Sequence, residues 1–188
     1  IIKKNLKMQD SLMCNPEKYS DNWETPPEFY EHLLPLVECK KIWEPFVGVT
    51  HRSTKAMQSL GLDVLETPND FFEVVKKWPR DEDGKPRLLL SNPPFSLKFK
   101  VLEALVEAQE DGEVKPFMLL LPSWVYASAT WRKLVRKKKF KPQMYIPTLR
   151  LNFFSPIDGK QKKATSFDST CICYGMTGEN WETGLCYY

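Results

Sequence analysis

The chain has 188 residues, of which 42% are hydrophobic, 13% aromatic and 27% charged, and its formal net charge is +3. This length fits one domain, and the composition is that of a globular protein with a substantial core, which excludes disordered, collagen-like and coiled-coil chains. No apolar stretch approaches the roughly 20 residues of a membrane-spanning helix, so we expect no membrane partner. Because the chain begins at Ile1 rather than Met, we interpret it as a fragment or as a chain without its disordered start.

Predicted strands and helices alternate along the sequence. KKIWEPFVG predicts a strand and HRSTKAMQSLG a helix that ends at Gly61, followed by the strand LDVLETP and the helix DFFEVVKKW with Asp70 as its cap. LLLSNPPF and KPFMLLLP are predicted strands on either side of the helix SLKFKVLEALVEAQEDG, and the helix SATWRKLVRKKK comes next. PQMYIPTLRLNFF and STCICYG are the last two predicted strands. This order predicts an α/β fold with a mostly parallel sheet, helices on both faces and an antiparallel strand pair at the C-terminal end.

The five cysteines are an odd number and do not space like a disulfide framework, which indicates reduced thiols and an intracellular protein, in the cytoplasm or the nucleus. Cys171 and Cys173 alternate with Ile172 on a predicted strand, so we interpret them as small buried hydrophobic residues rather than as ligands. The two histidines, His32 and His51, have no cysteine partners at zinc spacing. We therefore predict no metal site.

Positive charge is concentrated in residues 131–163, which we call the basic segment. It holds eleven Lys and Arg residues against one acid, Asp158, for a net charge of +10, whereas the rest of the chain carries −7. We predict a positive face or edge that contacts a nucleic-acid backbone, and a solvated helix end is the alternative. The candidate nucleic-acid-binding residues are Arg132, Lys133, Arg136, Lys137, Lys138, Lys139, Lys141, Lys160, Lys162 and Lys163.

Two of the predicted strands end in residues that suit a nucleoside. Gly48 closes EPFVG, where a glycine lets the backbone approach a ligand and the next helix offers its amino end to a carboxylate. Glu66 ends the second strand, near the place where nucleoside-binding α/β folds hold the ribose. The pyrophosphate fingerprint is absent after Gly48, which favours a single nucleoside without a phosphate.

The third strand runs into a tetrapeptide that we regard as the catalytic candidate. It consists of Asn92, Pro93, Pro94 and Phe95. The two prolines lack N–H groups and make a rigid turn that presents the Asn92 amide and carbonyl oxygens. Acceptors from the Asn92 side chain and the Pro93 carbonyl suit the two hydrogens of an exocyclic aromatic amine, on whose ring Phe95 can stack. A purely structural turn is the alternative, since Pro26-Pro27 is another diproline.

With these residues in view, the chain resembles the class I S-adenosylmethionine-dependent methyltransferases that modify adenine at N6, over about residues 21–175. DNWETPPEFYEHL resembles the amino-terminal motif of phage-type DNA adenine methyltransferases, EPFVG their first cofactor motif, NDFF the segment that lines the cofactor adenine, and NPPF the catalytic tetrapeptide. The order of the motifs argues against the circularly permuted messenger-RNA adenosine methyltransferases.

The resemblance implies a Rossmann-like fold, S-adenosylmethionine as cofactor, and in-line methyl transfer to a base held out of its stack. It also implies that Asp70 meets the amino group of the cofactor adenine and Phe71 its face. The cofactor site that it implies consists of Thr25, Pro26, Glu44, Pro45, Phe46, Gly48, Glu66, Asp70 and Phe71. The predicted organisation is an N-terminal extension, residues 1–20, and a single methyltransferase domain, residues 21–188.

Thr50 stands where these families usually have a second glycine, and no separate target-recognition domain follows the last strand. Specificity would then come from residues 155–168, from the N-terminal part or from a partner chain. We expect DNA to be preferred to RNA because of the WETPP segment. The alternatives are RNA adenosine, a protein glutamine, and a non-catalytic nucleic-acid-binding subunit with the same fold. Trp23 and Trp124, at the predicted entrance, are candidates either for stacking on a base or for packing.

Overall fold

The structure, a computed structural model, describes residues 23–67, 70–138, 141–155, 158–162, 168–181 and 185–187. The helices are α1 (Pro27–Leu33), α2 (Arg52–Ser59), α3 (Phe71–Val74), α4 (Lys98–Glu107) and α5 (Ala129–Lys138). The strands are β1 (Lys41–Glu44), β2 (Asp63–Glu66), β3 (Leu88–Ser91), β4 (Phe117–Pro122), β5 (Gln143–Ile146), β6 (Ser169–Tyr174) and β7 (Leu185–Tyr187). The predicted N-terminal extension, residues 1–20, lies outside the described residues.

The described strands form one sheet in the order β2-β1-β3-β4-β6-β5-β7. β1 is parallel to β2 and β3, β3 to β4, and β5 to β7, whereas β6 is antiparallel to both β4 and β5. The predicted fold class, a Rossmann-like α/β sheet with an antiparallel pair at its C-terminal end, is confirmed. The strand order reverses at β1, which has β2 on one side and β3 on the other. Such a switch point opens a crevice at the carboxyl ends of the strands.

Alternate residues of each strand point to opposite faces of the sheet, and helices cover both. Ile42, Leu90 and Met118 pack on one face in a cluster with residues of α1 and α2. Trp43 and Leu89 pack on the other face with residues of α3, α4 and α5. Because both faces are buried, β3 and β4 read as unbroken apolar runs rather than as alternating ones.

The strands and helices follow the predicted order, with differences at their ends. β5 stops at Ile146, far short of the predicted PQMYIPTLRLNFF, because Pro147 has no N–H to continue the ladder. α1 and β7 were not predicted, although Pro27 in the first turn of α1 is a usual helix start. α2 ends before Gly61, whose φ of 83° is left-handed, as the sequence predicts.

The thiols agree with their predicted structural role. Cys171 and Cys173 are fully buried within β6. Within the described ranges, no three Cys, His, Asp or Glu side chains come together in a way that would hold a metal ion. None of the described helices is long and apolar enough to cross a bilayer.

Candidate active site at the carboxyl edge of the sheet

A buried carboxyl group occupies the switch point between β1 and β3. Glu44, the last residue of β1, is 1% exposed. Its Oε1 accepts hydrogen bonds from the Ser91 hydroxyl at the end of β3 and from the Phe46 amide at 3.3 Å. Its Oε2 is buried without a hydrogen-bond partner in the described part of the chain. The two strands are therefore tied together where a ligand of this fold binds.

Burial raises the pKa of Glu44 to about 7, and the hydrogen bond from Ser91 only partly offsets the effect. The charge of Glu66 raises the pKa further. Glu66 lies directly beside Glu44 because the parallel register pairs these two residues. Glu44 therefore exchanges its proton near neutral pH, and its free oxygen can donate or accept a hydrogen bond according to pH.

Asn92 follows β3 directly, and its two polar atoms differ in their surroundings. The Nδ2 donates to the Trp23 carbonyl at 2.6 Å. The Oδ1 is buried and has no hydrogen-bond partner among the described residues. Pro93 beside it is buried, whereas Pro94 and Phe95 are half-buried. The corner therefore holds an oriented amide with a vacant acceptor, which is the feature predicted for binding an amine.

The Glu24 carboxylate lies against the EPFVG loop. It accepts hydrogen bonds from the Thr50 amide at 3.0 Å, from the Thr50 hydroxyl at 2.7 Å and from the Arg52 Nε at 3.2 Å. A Cβ at position 48 would lie 2.5 Å from Glu24 Oε1, so any larger residue there would displace the Glu24 carboxylate from this position. Thr50, which stands where the families that the sequence resembles usually have a second glycine, binds Glu24 through both its amide and its hydroxyl.

Residues 23–25, which we call the strap, connect three parts of the site. Trp23 binds Asn92 through its carbonyl, and Glu24 binds the EPFVG loop. The backbone of Glu24 also forms an antiparallel bridge with Phe154, with N···O distances of 3.1 and 2.9 Å. Thr25 is buried. Sequence reasoning missed Glu24 and Arg52, because their contacts span more than twenty residues and follow no local pattern.

The predicted ribose ligand, Glu66, lies at the same edge and is paired with His51. His51 Nδ1 is 2.9 Å from Glu66 Oε1 and 3.1 Å from Oε2. Burial alone would raise the pKa of Glu66, but the polar neighbours Thr54 and His51 outweigh it, and the pKa lies below its ordinary value. Glu66 is therefore ionised at neutral pH, as an acceptor for ribose hydroxyls must be.

Asp70 and Phe71, predicted to bind the cofactor adenine, begin α3. The Asp70 carboxylate accepts a hydrogen bond from the Phe72 amide at 2.9 Å, which confirms its predicted role as the helix cap. Phe71 is buried between Phe46, at a ring distance of 4.8 Å, and Trp43, at 5.9 Å. Phe46 is the more accessible ring. Of the other predicted cofactor residues, Pro26 is buried and Pro45 half-buried.

The topology divides the basic segment between two edges of the sheet. β5 runs parallel to β4, since both are antiparallel to β6. The connection from α5 to β5 therefore lies at the amino edge, opposite Asn92, whereas the loop after β5 lies at the carboxyl edge. Among the described residues, the amino-edge group contains Lys137, Lys138 and Lys141, and the carboxyl-edge group contains Lys160 and Lys162. The described cations of the basic segment therefore lie at two edges of the sheet, and their contact with nucleic acid stays a prediction.

Most of the described Lys and Arg side chains of the basic segment are exposed to solvent. Arg132, Lys133 and Arg136 are exposed on α5, and Lys141 and Lys160 are exposed in loops. Lys162 forms an ion pair with Asp158 at 2.7 Å. Lys139 and Lys163 lie outside the described residues, as do the side chains of Lys137 and Lys138.

No protein-family model matches the chain, and no curated protein matches it. Among solved structures, a precorrin-8w decarboxylase from Methanobacterium thermoautotrophicum is similar at 12% identity and a TM-score of 0.45, over 83% of this chain and 98% of that one. A possible methylase from Clostridium difficile 630 is similar at 10% identity and a TM-score of 0.33, over 73% of this chain and 32% of that one. Neither similarity bears on substrate or chemistry.

Proposed function

We propose that this protein transfers a methyl group from S-adenosylmethionine to the exocyclic N6 amine of adenine in nucleic acid, with DNA preferred. One observation carries the proposal. Asn92 Oδ1 is a buried acceptor without a partner, on an amide whose other end is held by the Trp23 carbonyl. A buried vacant acceptor is costly unless a ligand donates to it, so its place beside the switch point supports a donor such as an aromatic amine.

The residues of the edge fit the cofactor. Gly48 has no side chain to block approach to its backbone, where the Glu24 carboxylate now lies, Glu66 offers ionised oxygens to ribose hydroxyls, and Phe46 offers an accessible ring. When bound, the cofactor supplies an electrophilic methyl group on a sulfonium sulfur.

The tetrapeptide activates the amine by hydrogen bonding. The amine lone pair is delocalised into the adenine ring, which makes the nitrogen a weak nucleophile. When Asn92 Oδ1 and the Pro93 carbonyl accept its two hydrogens, the pyramidal form is favoured and the positive charge that develops on nitrogen is stabilised. Phe95 would hold the ring by stacking. The nitrogen then releases one proton to solvent, which leaves a neutral N6-methyl product.

The test is incubation with isotope-labelled S-adenosylmethionine and a panel of duplex DNA, single-stranded DNA and RNA, followed by nucleoside mass spectrometry. We expect label in N6-methyladenine. Asn92→Ala should lower the rate by about 100-fold or more, the range for removing one preorganised hydrogen bond, while cofactor affinity stays within about twofold. Gln58→Ala, which removes an exposed amide on α2, is the matched control.

Other results of this experiment would indicate a different function for the protein. Label in RNA alone changes the polymer, and label in a glutamine-containing peptide, assayed in parallel by peptide mass spectrometry, changes the substrate class. Cofactor binding without transfer to any polymer would indicate a non-catalytic subunit or a missing partner chain. Full activity in Asn92→Ala would contradict the proposed chemistry.

A further inference from the structure

Two large aromatic side chains lie exposed directly after β4, at the same edge as Asn92. Trp124 is 50% exposed and Tyr126 is 42% exposed. By contrast, Trp43, Trp78, Trp131 and Trp181 are each at most 6% exposed. Burial of an indole ring is strongly favourable, and about half of Trp124 remains unburied at the predicted entrance. A ligand that covers the exposed part of the ring therefore gains that free energy.

Lys98 connects Trp124 to the tetrapeptide. Its Nζ donates to the Phe95 carbonyl at 2.7 Å and lies 5.0 Å from the centre of the Trp124 ring. Lys98 also begins α4, whose first turn has no acidic residue. The Lys98 ammonium and the positive end of the helix dipole thus lie on the same side of Trp124, and both favour an anionic partner.

We propose that Trp124 is a stacking surface for an unpaired base, that of the nucleotide next to the target adenine, with Lys98 facing its phosphate. The proposal rests on the proposed function and specifies how the substrate is held. Every base has a π-face, so a single indole can accept any neighbour. The adjacent cation pairs with the backbone that such a base carries. Of the two entrance tryptophans, Trp23 packs against the core instead.

The experiment measures binding of a single-stranded 12-nucleotide DNA with one central adenine, in the presence of S-adenosylhomocysteine. Trp124→Ala should weaken binding about tenfold, within the range for loss of one base–aromatic stack. Trp124→Phe, which retains a π-face, should stay within about threefold. Trp124→Leu, which retains apolar bulk without a π-face, should weaken binding as Ala does. Val114→Ala, a substitution at an apolar side chain that is 53% exposed at the amino edge, is the matched control.

Two further readouts separate stacking from a structural role. The salt slope of binding should be unchanged in Trp124→Ala, because no charge is removed. In methylation assays the KM for the oligonucleotide should rise about tenfold while kcat stays within about threefold. Unchanged S-adenosylhomocysteine affinity in the variant would show that the site is folded.

The outcomes distinguish this proposal from the proposed function. If the wild-type protein methylates adenine and Trp124→Ala binds the oligonucleotide equally well, the stacking surface is wrong and the function stands. If Trp124→Ala and Trp124→Leu lose binding while the wild-type protein methylates nothing, the surface stands and the function fails. Absence of oligonucleotide binding by the wild-type protein would overturn both.

Discussion

At the scale of single residues, the site depends on polar atoms that are buried without full hydrogen bonding. Such atoms destabilise a fold unless a ligand satisfies them, and here two of them, Asn92 Oδ1 and Glu44 Oε2, lie at the ends of adjacent strands. The free energy that the fold loses at these two atoms is therefore recovered when a ligand donates hydrogen bonds to them at this edge of the sheet.

Glu44 makes stability depend on pH. Its pKa is about 7 in the folded protein against an ordinary value of 4.5. The folded state therefore holds a proton that the unfolded state has lost, and the free energy of unfolding falls as pH rises between these values. Over the whole interval the loss is about 3 kcal/mol. Glu44→Gln should remove this slope in denaturant melts at pH 4.5 to 8.

The matched control is Glu31→Gln, an exposed glutamate on α1, which should keep the wild-type slope. An unchanged slope in Glu44→Gln would contradict the role of burial at this position.

The Glu24 carboxylate accepts hydrogen bonds from the Thr50 amide, the Thr50 hydroxyl and Arg52. These are the donors that the carboxylate of a bound cofactor would use. Glu24→Gln keeps a hydrogen-bonding oxygen for the Thr50 amide but removes the charge that binds Arg52. We expect affinity for S-adenosylhomocysteine to rise about threefold to tenfold, the scale of a partly exposed ion pair of about 1 kcal/mol. Affinity for 5′-methylthioadenosine, which lacks the amino-acid end, should not change. Calorimetry measures both.

Glu28→Gln, at an exposed position on α1, serves as the control for loss of a charge. A fall in S-adenosylhomocysteine affinity would show instead that Glu24 binds the ligand's ammonium group.

At the scale of secondary structure elements, α3 is short and depends on its cap. Its four residues give it little helical stability of its own, so the Asp70 bond to the Phe72 amide matters. Asp70→Ala should lower the free energy of unfolding by about 1 kcal/mol, and Asp70→Asn by much less, because asparagine caps equally well. Chemical denaturation measures this difference.

The same pair of variants tests the predicted adenine contact. If the Asp70 carboxylate accepts from the adenine amine, S-adenosylmethionine affinity should fall in both variants. A fall in Asp70→Ala alone would assign the effect to the cap.

The sequence predicts elements better than contacts between them. Strand positions follow from apolar runs such as FMLLLP, and the caps at Asp70 and Gly61 follow from local chemistry. The Asn92 bond to Trp23 joins residues 69 positions apart, and no local pattern encodes it. The same holds for Glu24, which lies inside a segment that the resemblance singled out without assigning that side chain a role.

At the scale of the whole molecule, strand direction decides which charges can reach the site. The exposed Lys160 and the partly buried Lys162 lie on the carboxyl-edge loop, whereas α5 ends at Lys138 near the amino edge. The +10 of the basic segment is therefore not one uniform field around Asn92.

Two charge reversals of equal size test this division. Lys160→Glu with Lys162→Glu should reduce the magnitude of the salt slope of oligonucleotide binding by about 1 to 2, at roughly 0.7 to 0.9 for each lost phosphate contact. Lys137→Glu with Lys138→Glu changes the net charge equally but should alter the slope far less. Equal effects in salt titrations would show that only overall charge matters.

Under the proposed function, the chemistry depends on the strap, three residues that lie before α1. A truncated protein that starts at α1 would retain every described strand and both clusters of core residues. It would lack the carbonyl that orients the Asn92 amide, the carboxylate over Gly48 and the pairing partner of Phe154. Such a shortened chain would fold with its tetrapeptide in place, yet the amide would be free to rotate and present its NH2 group to a substrate amine.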